Sequence, residues 1–414
     1  MRRVYWAGLS AGVGALLAGR LLKPTLHHFA RHDANATNNV PDDPESLDKA
    51  VEYSRERERL ALVSIGLGLS VNAATVFSGA PAKVFRWVSR WAPASARGSA
   101  FTLTWSAIEQ AWSLPFAYYA GHVVERKYGL ANQTSRGWLG DQAKGFALGA
   151  AINLPLTAGF TYVVRRWPRR WWLIVSVAAL PVTSLIAGLY PVLIAPIFNR
   201  FEPLDDPDLD GRIRALAERE GVCISQVMRM DMSKQTSKAN AFFAGIGGTK
   251  RIVLADTLLK SFSTEEIEAV VAHELAHQVH RDTWRLVGLA GVGTFGFTYS
   301  LNRLLPVVLR RTRGRTGVHS LADSHSMPLV SLLASVFGLA TMPLLNAYVR
   351  STERAADRYA LRATGNPDGF IGAMRQLQRT NLADPDPPAI VRILMHSHPT
   401  IGERIRWAES KKQP

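Results

Sequence analysis

"VVAHELAHQVHRD", residues 270–282, sets two histidines four apart with a glutamate directly after the first. On a helix, His273 and His277 lie on one face about one turn apart, so both imidazoles can meet a single ion. Glu274 projects beside that ion without binding it and can take a proton from a water held there, which is the mechanical content of H-E-x-x-H. Zinc lowers the pKa of such a water towards neutral. The lead-in "STEEIEAVVAHELAHQVH" (263–280) predicts the helix. Ser263 or Thr264 serves as N-cap, Glu265 and Glu266 fill the first turn, and Ile267, Val270, Val271 and Leu275 recur at helical spacing.

Outward from this stretch the chain turns apolar. Seven segments approach or exceed the roughly 20 apolar residues that cross a bilayer as helix: about 4–22, 60–80, 101–122, 145–164, 171–197, 286–306 and 327–349. The 414 residues are 47% hydrophobic and 20% charged, with mean hydropathy near zero, because polar segments of similar length dilute the spans. The first span reads as retained rather than as a cleaved signal, since no small-x-small site precedes a soluble start and "RLLKP" follows directly. The single cysteine, Cys223, excludes a disulfide within the chain and a cysteine metal cluster, and is expected to be a small buried residue. Any metal site must be built from histidine and carboxylate.

The formal net charge is +16. With seven spans, one side carries the N-terminus and the loops at 81–100, 165–170 and 310–325. These hold Arg2, Arg3, Lys83, Arg86, Arg90, Arg97, Arg165, Arg166, Arg169, Arg170, Arg310, Arg311, Arg313 and Arg315 against Asp323 alone. Basic short loops stay cytoplasmic, so this pattern argues for a lipid bilayer as the partner and against nucleic acid. The acidic loop 33–58 and the polar segments 199–283 and 350–414 fall on the opposite side, which the same rule places outside the cytoplasm.

A catalytic zinc wants a third protein ligand and an open position. "YVRSTERAADRYALRATG" (348–365) leaves the seventh span on the side of the HELAH segment. Glu353 can complete a His2Glu set, and Asp357, four residues on, can accept a hydrogen bond from a ligand imidazole. "NAFFAG" and "RIVLAD" flank "IGGTK" as a short hairpin, to whose edge an extended peptide could add. In the third span Glu109 and Gln110 sit near the middle; Glu109, with Asn72 and Asn153, reads either as a packing contact or as lining of an aqueous cavity.

The chain resembles the type I CAAX prenyl proteases, seven-span membrane zinc endopeptidases, over nearly its whole length. The likeness runs through "LPFAYYAGHVVERKYGLANQTSRGWLGDQAKG" (114–145), "YPVLIAPIFNRFEPL" (190–204), "SKANAFFAGIGGTKRIVLADTLL" (237–259), HELAH (273–277), "RSTERAAD" (350–357) and "SHPTIGERI" (397–405). It implies one zinc per chain on His273, His277 and Glu353, with Glu274 as general base. It also implies a substrate-aligning strand beginning at Asn240, Ala241 and Phe242, and places His398 and Arg404 near the scissile carbonyl, where they could polarise it or stabilise its oxyanion. Ala276, Gln278 and Thr400 depart from the family pattern, the last replacing a second proline.

The expected fold is mainly α: an integral membrane bundle of about seven transmembrane helices with an HExxH gluzincin-type metalloprotease domain carrying a small β-hairpin or sheet. Residues 1–198 would hold helices one to five and 199–283 the substrate strand and HExxH helix. Residues 284–349 would hold helices six and seven, and 350–414 the third ligand. The expected function is a membrane-embedded zinc metalloendopeptidase in a bacterial inner membrane, acting on membrane-associated or lipid-modified proteins. The alternatives are a quality-control protease without a lipid requirement, and a metal-binding scaffold or a transporter, neither of which needs Glu274.

Overall fold

The computed structural model describes residues 44–245 and 249–412. The expected first span, with Arg2 and Arg3, lies outside these residues. The protein is mostly helical, with one small sheet.

The membrane half begins with α1 (Pro44–Phe77), whose 34 residues span about 50 Å at 1.5 Å each. The acidic segment expected as a loop to residue 58 is therefore helix from Pro44. Ala50, Tyr53 and Ser54 of that segment are buried, so its burial is tertiary and involves polar groups. After the short α2 (Ala80–Val88) come α3 (Arg97–Tyr118), α4 (Ser135–Arg166) and α5 (Trp171–Leu189). Both α3 and α5 pass through a π-helical turn, at Tyr119–Val123 and Tyr190–Ile194. Pro191 in the second lacks the N–H that would continue an α-helix.

Among the described residues four helical stretches are long and apolar enough to cross a membrane: Glu45–Phe77, Ser135–Arg166, Trp171–Phe198 and Ser324–Thr364. The apolar segments at 101–122 and 286–306 fall largely on helices that do not meet that measure. In the first two stretches only 6% of the most apolar window is buried. Trp105 Nε1 donates to Glu109 Oε1 (2.7 Å), giving that carboxylate a partner within its own helix. Asn72 Oδ1 and Gln110 Oε1 are buried without a hydrogen-bond partner among the described residues.

The basic loops gather at one end. Arg165 donates twice to the carbonyl of Ala322 (3.2 and 3.0 Å). Gly79 and Gly317 both take φ +70, and a Cβ on either would lie within 3 Å of the other loop, at the Arg315 carbonyl or the Ala82 methyl. Only glycine suits both requirements.

The two polar segments form one hydrophobic core from residues 209–276 and 356–408. Strands β1 (Phe201–Pro203), β2 (Gln226–Met230), β3 (Ala241–Ala244) and β4 (Arg251–Ala255) make a sheet in the order β1-β2-β4-β3. β2 and β4 are parallel; β3 pairs antiparallel with β4, Phe242 opposite Val253. The expected hairpin is thus the outer half of a larger sheet, with β3 at its edge. Helix α6 (Pro207–Arg219), capped by Asp206, buries Leu209, Ile213, Leu216 and Ala217 on one stripe. Cys223 is exposed rather than buried, because it follows α6 at a turn on the surface.

Candidate active site

Helix α7 (Thr264–Val279) carries the two histidines. Ser263 is its N-cap, and Ser263 and Glu266 form a reciprocal capping box that satisfies two backbone N–H groups. Ile267, Val271 and Leu275 turn into the core, which leaves His273 and His277 on the face towards α9 (Met327–Thr364). That helix runs unbroken from the membrane half past Glu353 and Asp357, both buried.

Three donors converge. His273 Nε2 lies 3.2 Å from Glu353 Oε2 and His277 Nε2 3.7 Å from Glu353 Oε1. One ligand atom from each of the three residues falls within 4.8 Å of the others. The opposite ring nitrogens are held separately. His273 Nδ1 is 2.9 Å from Asp357 Oδ1, and His277 Nδ1 is 3.0 Å from Asp282 Oδ2. A carboxylate on each Nδ1 keeps the proton there and turns the Nε2 lone pair inward, the arrangement that suits a metal-ligating imidazole. Two imidazoles and one carboxylate at this spacing fit a tetrahedral ion with an open position.

Asp282 is the site residue that the motif reading missed. It opens α8 (Asp282–Thr316), and Arg281 before it takes the left-handed conformation (φ 56). This sharp turn brings Asp282 back to His277 and is costly for a side chain other than glycine. An acid five residues after the second histidine was the available signal.

Arg404 is buried on α11 (Ile401–Glu409) and grips Asp357 with two bonds, Nε to Oδ2 at 2.9 Å and Nη2 to Oδ1 at 2.5 Å. Its Nη2 also lies 3.4 Å from His273 Nδ1, on the side of that ring facing Asp357. His398 does join the cluster, with Nε2 3.2 Å from Glu353 Oε1 and Nδ1 2.9 Å from Ser397 Oγ. Thr400, in place of the family's second proline, caps α11 through its hydroxyl. Asn240 and Ala241–Phe242 lead into and form the edge strand β3.

The electrostatics follow from burial and partners. Burial raises the pKa of Glu274, and the nearby histidines only partly oppose it. With no ion bound, burial disfavours charge on His273, yet the bonds to Asp357 and Glu353 outweigh it and hold its pKa up at about 10, so a metal taken up there would displace the Nε2 proton. The same contest, with Asp282 and Glu353 as the partners, leaves His277 raised. A raised carboxylate beside a cluster of imidazoles suits general acid–base work.

Comparison with known proteins identifies the family. Residues 28–200 match the family described as CAAX prenyl protease N-terminal, five membrane helices, and residues 203–412 match peptidase family M48. An uncharacterized metalloprotease, YhfN of Bacillus subtilis, is 31% identical, covering 89% of this chain and 87% of its own. CAAX prenyl protease 1 of Saccharomyces cerevisiae is 30% identical over 72% of this chain and 69% of its own. The crystal structure of S. mikatae Ste24p superposes with a TM-score of 0.78 at 25% identity, over 98% of both chains.

Proposed function

The chain belongs to peptidase family M48 and is an integral membrane metalloendopeptidase; from that premise we propose one zinc centre on His273, His277 and Glu353 that cuts membrane-associated or lipid-modified proteins. The convergence of these three side chains, with both Nδ1 atoms tied to aspartates, carries the reading. Bound there, zinc supplies Lewis acidity to the attacking water and the carbonyl.

The chain's own residues do the rest. Glu274 takes the proton of the attacking water and passes it to the leaving amine, a transfer favoured by its raised pKa. Asp357 and Asp282 fix the ring planes, and Arg404 fixes Asp357. His398 sits beside Glu353 and donates to the carbonyl oxygen as charge develops. The free edge of β3, from Asn240 through Ala241 and Phe242, receives the substrate as an added strand, so main-chain bonds hold it without regard to sequence. Since the basic loops lie together away from this site, the catalytic end faces out of the cytoplasm from a bacterial inner membrane.

The test uses purified full-length protein and one peptide, lipidated and bare, with Glu274→Gln as control. We expect the lipidated form to be cut with kcat/KM about tenfold or more above the bare form, and neither to be cut by the variant. Equal cleavage of the two peptides would remove the lipid preference and leave a quality-control protease.

A further inference from the structure

The route from the membrane half to the substrate strand passes through a buried ion pair. Lys238, two residues before Asn240, sends Nζ to Glu125 Oε2 (2.6 Å) and to the Tyr53 hydroxyl (2.7 Å). Tyr53 in turn donates to Glu125 Oε1 (2.7 Å). Glu125 follows the π-helical turn after α3, and Tyr53 belongs to α1, so both partners come from the membrane half. Tyr53 is 2% and Glu125 8% exposed. The Lys238 side chain is 15% exposed and lies 5.0 Å from the centre of the Tyr53 ring.

The next residue is held on both sides. Asn381, at the end of α10 (Pro367–Asn381), accepts from the Ala239 N–H (3.0 Å) and donates to the Ala239 carbonyl (3.4 Å). Thr257 Oγ1 bonds the Lys238 carbonyl (2.8 Å), and the Asn240 carbonyl accepts from Ala255 N (2.9 Å). Every residue from 238 to 240 is thereby pinned before β3 begins at Ala241. Farther back, residues 235–237 bond to the chain at 129–132, including Thr236 Oγ1 to the Leu130 carbonyl at 2.6 Å.

A buried Lys–Glu pair contributes little net stability, because desolvation offsets its attraction. What such a pair does impose is geometry, since charge-assisted bonds of this length tolerate only small displacements. We infer that Lys238, clamped by Glu125 and Tyr53 of the membrane half and flanked by the Asn381 grip on Ala239, is a positioning residue that sets where the β3 edge presents a peptide to Glu274 and the three-ligand cluster. The inference rests on β3 being the substrate strand. Displacing that strand by about an ångström would misplace the scissile bond while leaving the ligand cluster intact.

The experiment uses full-length, zinc-loaded protein and one defined peptide, with a copy N-methylated at the amide that would bond β3. Wild type, Lys238→Met, Lys238→Arg and Glu125→Gln are compared for kcat, KM, zinc content and, by mass spectrometry, the position of the cut. We expect Lys238→Met to keep its zinc and its KM, lose about 100-fold in kcat and spread its cuts over neighbouring bonds. Lys238→Arg should retain a single cut position, and Glu125→Gln should follow Lys238→Met. A Lys238→Met protein that melts earlier yet cuts at the wild-type rate and position has lost a structural contact only, and the proposal falls. Tolerance of the N-methyl group by wild type removes the substrate-strand reading, and this proposal with it. Inhibition by the N-methyl group with no change in Lys238→Met overturns this proposal alone. If Lys238→Met fails to fold, Glu125→Gln decides by the same criteria.

Discussion

Asp282 holds His277 through a 3.0 Å contact, and the strength of that hold is measurable. Replacing Asp282 with alanine should weaken zinc retention about 10- to 100-fold in competition with a chelator, with the helical signal unchanged; unaltered retention would mean that the ring is oriented by packing alone. At Glu274 the sign of the pH dependence is fixed by its role as base. It must be ionised to accept that proton, so in zinc-saturated enzyme kcat/KM should fall on the acid side as Glu274 takes up a proton. His396 shows the opposite linkage. Burial, helped by neighbouring positive groups, lowers its pKa to about 4 from 6.5. As pH falls through that window the unfolded chain takes up a proton that the folded chain refuses, and stability is lost, on the order of 3 kcal/mol. Melting temperature against pH should therefore be flatter for His396→Gln than for wild type between pH 6.5 and 4. The pairing of His273 with His277 was legible at this scale because helical spacing places residues four apart on one face, whereas Glu353, on a separate helix, was reached only as an acid emerging on the same side and by family resemblance. Asp282 and the contact of Arg404 with Asp357 were not legible, since each depends on how a turn or a distant helix returns to α7.

Among the elements, α7 is the most self-sufficient. Ser263→Ala should remove its capping bond and cost about 1 kcal/mol, read as a lowered melting temperature without loss of bound zinc. The contact between α5 and α8 is tighter: a Cβ at Gly291 would lie 2.5 Å from Leu180 Cδ2. Gly291→Ala asks only that the Leu180 tip move, whereas Gly291→Leu should overpack the contact and cost about 1–3 kcal/mol. Helix α7 and the β3–β4 pair could be anticipated because capping residues, periodicity and a local turn specify them. The other half of the sheet could not. β1 is three residues ending in Pro203, and β2 joins β4 in parallel across a 20-residue separation, so its place is set by tertiary pairing. The early start of α1 was hidden for a related reason, its buried stripe including polar Ser54 and Glu58.

At the scale of the whole molecule, hydropathy foretold the membrane and charge foretold two unlike ends. The basic loops do converge, through contacts such as that of Arg165 with Ala322, away from the His273–His277–Glu353 cluster. An internal aqueous space makes its own prediction. After Cys223→Ser removes the exposed native thiol, cysteines at Glu109 and Asn153 should react with a water-soluble reagent, and those at Val177 and Leu180 should not. Equal protection of all four would leave a solid bundle. The central claim, hydrolysis at a His273–His277–Glu353 centre with Glu274 as base, is tested most directly by zinc content and peptide cleavage measured on the same preparations of wild type and Glu274→Gln. The account predicts one zinc per chain in both, with cleavage reduced by about 100- to 10,000-fold in the variant. Wild-type cleavage by Glu274→Gln, or cleavage by a wild-type protein that holds no metal, would contradict it.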